Sequence, residues 1–179
     1  GYRSRAAFKL IEINSKFKIL KKNTNLLDLG SYPGGWSQVA SKKILNGKIV
    51  SVDMKEMKPI SNVKFFKKDF LQEESQDFIF SYFGEKIDVI ISDMAADTTG
   101  NRNLDSIRTN SICLEVLNFS SKILNSKGIL VSKIFMGQDF ELVKKEAKIK
   151  FNKVNFYKPN SSRTNSKETY LHCQGFKTL

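Results

Sequence analysis

The fold of this chain is decided at residues 28–36, which read Asp-Leu-Gly-Ser-Tyr-Pro-Gly-Gly-Trp. An apolar run from Leu26 to Leu29 precedes the glycines, and a helical pattern from Trp36 to about Leu45 follows them, so the order is strand, tight loop, helix. Glycines in such a loop let the backbone approach a bound molecule, and the N–H groups that open the helix can hold an anion. Because ligands bind at the carboxyl edge of an α/β sheet, the turn predicts a cofactor cradle. The predicted cradle residues are Gly30, Pro33, Gly34, Gly35 and Trp36.

Acidic residues close the next two predicted strands. Asp53 ends strand 48–53, roughly 20 residues after the glycine loop, where a carboxylate can accept hydrogen bonds from a ribose diol. Asp69 ends strand 63–69 in the same way. Taken alone, the glycine loop has two other interpretations, a purely structural turn and the nucleotide loop of a nicotinamide-dependent oxidoreductase. The second is disfavoured because the spacing is Gly-x-x-x-Gly-Gly and not Gly-x-Gly-x-x-Gly.

The composition indicates a globular chain with a polyanionic partner. The 179 residues are 40% hydrophobic and 27% charged, which predicts a single domain over 1–179 and a monomer. The net charge of +12 favours nucleic acid as partner, although a lysine-rich compositional bias explains the same charge. No apolar run reaches membrane-spanning length and no signal peptide is recognised, so no membrane association is expected.

Cysteine and histidine usage predicts neither a metal site nor a disulfide. Cys113 and Cys173 lie in apolar patterns without a Cys-x-x-Cys, which favours an intracellular, reducing compartment. His172, the only histidine, lies in a strand pattern, and we expect it to be structural. The chain starts at Gly1, inside a predicted helix, which suggests an upstream segment and leaves cytoplasm, nucleus and organelle open.

Alternation of strand and helix patterns predicts an α/β fold with a mostly parallel, doubly wound sheet. The predicted helices are 3–13, 36–45, 71–83, one from an N-cap at Asp105 or Ser106 to about 124, and 139–150. The predicted strands are 26–29, 48–53, 63–69, 87–91, 129–135, 151–157 and 169–176. No helix separates the last two strands, so we expect antiparallel neighbours at one edge of the sheet.

Four charged residues stand out because the predicted topology brings them to the cradle edge. They are Lys9 on the first helix, Asp93 and Lys133 at strand ends, and Glu168 before the last strand. Lys133 ends an otherwise buried strand, which is costly unless the cation is paired or used. Each of the others has a structural alternative, namely a surface charge, a turn cap and an edge-strand charge.

Five collinear motifs, spanning practically the whole chain, resemble those of the RrmJ/FtsJ ribose 2′-O-methyltransferases. They are Arg3-Ser4-Arg5-Ala6-Ala7-Phe8-Lys9-Leu10, Asp28 through Gln38, Ser92-Asp93-Met94-Ala95, Lys133-Ile134-Phe135, and Lys158-Pro159 through Arg163 to Thr169-Tyr170. The resemblance implies a Rossmann-like S-adenosylmethionine (SAM) methyltransferase fold with an antiparallel last strand. It implies a catalytic tetrad of Lys9, Asp93, Lys133 and Glu168. It also implies SAM contacts at Gly34, Trp36, Asp53, Asp69 and Asp93.

By the same resemblance, the compact length points to the branch that modifies large-subunit ribosomal RNA, with S-adenosylhomocysteine as product. Two departures from the family pattern are Ser31-Tyr32 in the glycine loop and the stretch from Ala96 to Thr99. The second leaves substrate preference open. The alternatives are methylation of a tRNA anticodon loop or an mRNA cap, and a catalytically inactive RNA-binding module.

The chemistry assigns a role to the lysine on the fifth strand. A ribose hydroxyl is a weak nucleophile, so it must lose its proton as it attacks the methyl group in line. Lys133 is the predicted general base, provided that burial and Lys9 lower its pKa more than Asp93 and Glu168 raise it. Otherwise its ammonium would orient the hydroxyl. A basic edge is predicted to bind the RNA in a salt-dependent way through Arg3, Arg5, Lys9, Lys158 and Arg163.

Overall fold

The structure is a computed structural model that describes residues 1–164 and 166–177, so Asn165, Thr178 and Leu179 of the predicted single domain lie outside it. Within these residues the helices are α1 (Ala6–Phe17), α2 (Gly35–Lys43), α3 (Glu73–Phe83), α4 (Arg102–Ile123) and α5 (Phe140–Lys150). The strands are β1 (Leu26–Leu29), β2 (Ile49–Asp53), β3 (Val63–Lys67), β4 (Ile87–Ser92), β5 (Leu124–Phe135), β6 (Phe151–Tyr157) and β7 (Glu168–Phe176).

One sheet carries all of these strands, in the order β3-β2-β1-β4-β5-β7-β6. The first five pair in parallel, and β7 inserts antiparallel between β5 and β6. The predicted antiparallel pairing of the last two strands is therefore confirmed, with β6 at the edge. The strand order reverses between β1 and β4, which places a crevice beside the glycine loop.

Helices cover both faces of the sheet, as the nearly continuous apolar strands require. On one face, α1 and α2 bury Leu10, Ile13 and Val39. On the other, α3, α4 and α5 bury residues that include Ile79 and Val116. This doubly wound arrangement confirms the predicted fold class and leaves the ends of the strands for a site.

The first helix is displaced from its predicted span. It covers Ala6–Phe17 and not 3–13, because its apolar stripe continues beyond Ile13. The helix stops at Lys18, which adopts a left-handed conformation with φ of 54° and donates its N–H to the Asn14 carbonyl.

The start of α4 was also predicted wrongly. Its N-cap is Asn101, whose side chain accepts a hydrogen bond from the Leu104 N–H at 3.1 Å. Asp105, one of the two predicted caps, instead accepts hydrogen bonds from the N–H and hydroxyl of Thr99. Ser106, the other, lies buried within the helix.

Two strand boundaries differ from the predicted ones by more than one residue. β5 begins at Leu124 and not at 129, because Leu124 is buried and pairs with Ile87 across a register irregularity. β3 ends at Lys67, so Asp69 follows the strand and does not close it. The carboxylate nevertheless remains at the carboxyl edge of the sheet.

Candidate active site

The glycine loop after β1 packs too tightly to accept side chains. Gly30 and Gly34 have φ of +72° and +125°, values that favour glycine. A Cβ at Gly30 would run into the Met94 side chain, and one at Gly34 would lie 3.0 Å from both Arg3 Nη1 and the Ile60 side chain. The Tyr32–Pro33 peptide bond within the loop is cis. The loop therefore has the close backbone approach that a cofactor cradle needs.

Arg3 holds this loop in place, a role that sequence reasoning missed. Its guanidinium donates hydrogen bonds to the carbonyls of Pro33, Lys58 and Pro59, at 3.1, 2.6 and 2.9 Å. These contacts join the segment before α1 to the loops after β1 and β2. The predicted contact of Arg3 with RNA stays a prediction, since most of this side chain's donors serve the cradle.

Trp36 connects the cradle to α1 and β7. Its side chain is buried, and its Nε1–H donates to the Ala6 carbonyl at 2.8 Å. Its ring lies 5.6 Å from the ring of Tyr170, centroid to centroid. The predicted cofactor contact of Trp36 stays a prediction, and because the indole is used in packing, it would involve the main chain at the start of α2.

Asp53 and Asp69 present oriented carboxylates along the same edge. Asp53 accepts hydrogen bonds from the N–H groups of Tyr32 and Lys55, both at 2.9 Å, and Asp69 accepts one from Leu71 at 3.0 Å. An ionised carboxylate has further lone pairs after such contacts. Both groups are partly exposed, so they can accept hydrogen bonds from a sugar or base.

The four charged residues singled out in the sequence converge into one cluster. Lys9 Nζ lies 2.5 Å from Glu168 Oε1, and Lys133 Nζ lies 3.3 Å from both Asp93 Oδ1 and Glu168 Oε2. Their side chains are between 12% and 20% exposed, so the charges are shielded from bulk solvent but reachable. This is the spatial arrangement that a coupled proton-handling site requires.

Strand register explains the convergence. Lys133 on β5 pairs with Tyr170 on β7, and two positions further along Phe135 pairs with Glu168. Asp93 directly follows β4, the other neighbour of β5. Side chains two residues apart on a strand share a face, so Glu168 and Tyr170 lie on the same face of the sheet as Lys133, and Glu168 contacts the lysine.

Tyr170 is a fifth member of the cluster that sequence reasoning missed. Its hydroxyl lies 2.6 Å from Asp93 Oδ1 and 3.0 Å from Glu168 Oε1, bridging the two carboxylates. Burial and both carboxylates raise the pKa of Tyr170 well above its usual range, so the hydroxyl keeps its proton and donates it. The sequence did contain a signal for this role, since Tyr170 lies two residues after Glu168 in a strand pattern and so shares its face.

The charges of the cluster set each other's ionisation. Burial alone would lower the pKa of Lys133, but Asp93 and Glu168 outweigh it and the pKa is raised. Burial alone would raise the pKa of Glu168, but Lys133 and Lys9 outweigh it and the pKa is lowered. For Asp93 burial prevails over Lys133 and Tyr170, and the pKa is raised. A predominantly neutral Lys133 would require that burial and Lys9 lower its pKa more than the two carboxylates raise it. In the free protein the carboxylates prevail, so Lys133 is an ammonium.

A second buried carboxylate lies on the neighbouring strand and was also missed. Asp28 accepts a hydrogen bond from the Ser37 hydroxyl at 2.6 Å, and Ser37 is in turn 2.6 Å from the hydroxyl of Ser51. Its other oxygen, Oδ1, is buried without a partner among the described residues. Burial raises the pKa of Asp28 to about 8.

The remaining predicted RNA contacts differ in their surroundings. Arg5 and Arg163 are exposed, at the start of α1 and in the β6–β7 loop. Lys158 donates to the carbonyls of Ser166 and Glu168, at 2.7 and 2.8 Å, and so stabilises the backbone around Glu168. A role for any of them in RNA binding stays a prediction.

The single histidine and the cysteines have structural surroundings. The His172 ring stacks on Phe17 at 3.9 Å and its Nδ1 lies 3.2 Å from the Asn155 amide, while burial lowers its pKa to about 4. Burial raises the pKa of Cys113 to about 11 and that of Cys173 further. In the described part of the chain no group of three or more histidine, cysteine, aspartate or glutamate side chains could hold a metal ion. No helix in residues 1–164 and 166–177 is long and apolar enough to cross a membrane.

Comparison with known proteins places these features in a family context. The family model described as FtsJ-like methyltransferase matches residues 2–176. "Ribosomal RNA large subunit methyltransferase E" of Pelagibacter ubique is 45% identical over 174 residues, covering 97% of this chain and 86% of that protein. The protein of the same name from Rickettsia felis is 44% identical, covering 96% of this chain and 78% of that protein.

Solved structures agree at the level of the fold. A crystal structure of a ribosomal RNA methyltransferase from Plasmodium falciparum has a TM-score of 0.88 and 35% identity, covering 98% of each chain. Human methyltransferase-like protein 13, solved with SAH, has a TM-score of 0.63 and 17% identity, covering 95% of this chain and 79% of that one. The second likeness concerns the fold alone.

Proposed function

The chain belongs to the FtsJ-like methyltransferase family, and on that premise we propose that it transfers a methyl group from SAM to a ribose 2′-hydroxyl of large-subunit ribosomal RNA. The observation that carries the proposal is the cluster of Lys9, Asp93, Lys133 and Glu168 beside the glycine loop. Proton-handling groups next to a cofactor cradle suit an alcohol acceptor, since a hydroxyl needs activation before it attacks.

The residues around the cradle suit SAM in charge, since three carboxylates, those of Asp53, Asp69 and Asp93, lie near the glycine loop in the sheet order. When bound, this cofactor supplies an electrophilic methyl group on a positively charged sulfur. The loop at Gly30, Gly34 and Gly35 would take the amino-acid part, and Asp53 would accept hydrogen bonds from the ribose diol. Asp69 would lie near the base, and Asp93 would connect the cradle to the catalytic cluster. The product would be S-adenosylhomocysteine.

Each member of the tetrad has a distinct role in this proposal. Lys133 accepts the proton of the 2′-hydroxyl, from its minor neutral form because its pKa is raised in the free protein. Asp93 and Glu168 hold the lysine nitrogen at 3.3 Å each and so aim it at the acceptor. Lys9 pairs with Glu168 and keeps that carboxylate charged.

Two features support ribosomal RNA as the substrate. The relatives at 45% and 44% identity are both "Ribosomal RNA large subunit methyltransferase E", and this chain covers most of each. In addition, Arg5 and Arg163 are exposed, and arginine suits phosphate recognition. The need for a 2′-hydroxyl would distinguish RNA from DNA at the chemical step.

A methyl-transfer assay tests the proposal. Large ribosomal subunits from cells that lack this modification would be incubated with the protein and SAM, and the RNA digested for mass spectrometry of 2′-O-methylated nucleosides. We expect one new 2′-O-methyl nucleotide in large-subunit RNA and none with Lys133→Met. Calorimetry should detect binding of SAM and not of NAD.

Other outcomes would contradict the proposal in identifiable ways. Methylation of a tRNA anticodon loop or a capped RNA, with ribosomal RNA unmodified, would replace the substrate. RNA binding without SAM binding would indicate a catalytically inactive module.

A further inference from the structure

A cavity of about 470 Å³ is lined by residues that neighbour two members of the tetrad along the chain. Its walls are the loop between β4 and α4, the first turns of α4, the end of β5 and the β6–β7 loop. Ala95, two residues after Asp93, lines one side, and Lys167, directly before Glu168, lines the other. Two lining residues thus neighbour Asp93 and Glu168 along the chain, and Arg163, a predicted RNA contact, also lines the cavity.

The charge around the cavity is net positive. Three cations line it, namely Arg102, Arg163 and Lys167. One carboxylate, Asp105, also lines it, but its oxygens accept hydrogen bonds from Thr99, which lower its pKa and keep it ionised. Three positive charges against one engaged negative charge suit an anion.

A buried hydroxyl in the same wall lacks a partner. Ser106 is 1% exposed, and its Oγ makes no hydrogen bond to any described residue. A Cβ placed at Gly137 would lie 3.0 Å from Ser106 Oγ and 4.0 Å from Lys167 Nζ. The Ser106 hydroxyl and the Lys167 ammonium therefore both lie close to the space beside Gly137 that the absence of a side chain leaves empty. Buried polar groups in folded proteins normally have partners, so the unused hydroxyl points to a ligand.

We propose that this cavity binds an RNA phosphate adjoining the methylated ribose, with Arg102, Ser106 and Lys167 as donors. The inference rests on the proposed function, because it assumes an RNA substrate whose chain continues from the tetrad into the cavity. Phosphate oxygens accept several hydrogen bonds at once, and arginine matches their geometry. A phosphate held here would fix the position of the RNA along the site, so that one particular 2′-hydroxyl lies next to Lys133.

RNA affinity measured against salt concentration tests the site independently of methyl transfer. A short fluorescein-labelled RNA of mixed sequence would be titrated with wild type, Arg102→Gln, Lys167→Gln and Ser106→Ala over a series of KCl concentrations. Each charge-removing variant should weaken binding and reduce the slope of log affinity against log salt by about 0.7, the value for one single-strand phosphate contact. Ser106→Ala should weaken binding with the slope unchanged, because no charge is lost.

Lys148→Gln is the matched control, since it removes an exposed charge from the outer side of α5 and should leave the slope near that of wild type. Where methyl transfer is measurable, the cavity variants should raise KM for RNA about threefold to tenfold with kcat within about twofold, as expected for lost ground-state binding.

Slopes for Arg102→Gln and Lys167→Gln equal to that of Lys148→Gln would overturn the phosphate site, as would a wild-type protein that does not bind RNA. A wild type that binds RNA with these slope changes but transfers no methyl group would overturn the proposed function and support the site.

Discussion

Two buried clusters, the tetrad and the surroundings of Asp28, contain carboxylates that ionise differently, and the clearest contrast is between Glu168 and Asp28. Asp93 and Glu168 contact Lys133 and Lys9, and the tyrosine hydroxyl bridges them. Asp28 on β1 accepts a hydrogen bond from the Ser37 hydroxyl, which in turn lies 2.6 Å from the Ser51 hydroxyl, and burial raises the pKa of Asp28 to about 8. Both clusters are shielded from water, so the difference comes from their partners. Lys133 and Lys9 lower the pKa of Glu168 and keep that carboxylate ionised, whereas burial without a contacting cation raises the pKa of Asp28. The pKa of Asp93 is raised as well, because burial outweighs Lys133 there.

The largest effect should follow from changing Lys133, the lysine that contacts both carboxylates of the proposed tetrad. Lys133→Arg keeps the charge but removes a group that can become a neutral base. We expect kcat to fall by about 10²–10⁴-fold, the usual contribution of general base catalysis. The measurement is single-turnover methylation at saturating RNA and SAM. Near wild-type activity in this variant would exclude Lys133 as the base.

The pH dependence of the same step separates the two possible roles of Lys133. Because its pKa is raised, the ammonium predominates at neutral pH and the neutral fraction grows with pH. If the neutral form acts, kcat should rise about tenfold per pH unit below that pKa and then level off. If the ammonium acts by orienting the hydroxyl, the rate should fall in the alkaline range. A rate profile from neutral to alkaline pH decides between them.

Asp28 should affect stability where the tetrad affects rate. Its pKa is about 8 in the folded protein against 3.8 in its reference state, so between these values only the folded state binds the proton. Stability should therefore fall as pH rises through this window, by at most about 1.4 kcal/mol per pH unit. Asp28→Asn should remove that slope, because the amide can accept the Ser37 hydrogen bond without ionising.

Urea denaturation at several pH values between 5 and 8 measures this slope. Asp97→Asn, which changes an exposed carboxylate, is the matched control and should keep the wild-type slope. Equal slopes in wild type and Asp28→Asn would contradict the contrast between the two clusters.

The same contrast marks what sequence alone could predict. Strand and helix periodicity predicted the sheet, and the placement of Asp93 and Lys133 at strand ends predicted the tetrad, because parallel strands bring their carboxyl ends together. Tyr170 and Asp28 were missed because their roles depend on which strands are neighbours, and local pattern does not encode that. The sequence suggests that Arg3 is a free cation, but its guanidinium donates hydrogen bonds to carbonyls 30 to 56 residues away in two different loops.

The smallest expected effect concerns the hydroxyl that joins the two catalytic carboxylates. Tyr170→Phe keeps the ring against Trp36 but removes the donor to Asp93 and Glu168. Without it the carboxylates repel more strongly, and the pKa of Glu168, which this hydrogen bond helps to lower, should rise. We expect kcat to fall about tenfold or less, in line with one lost hydrogen bond to a charged group, with KM for SAM unchanged. Any further loss of rate at acidic pH that follows protonation of Glu168 should begin at higher pH in this variant, a shift that a purely structural tyrosine would not produce.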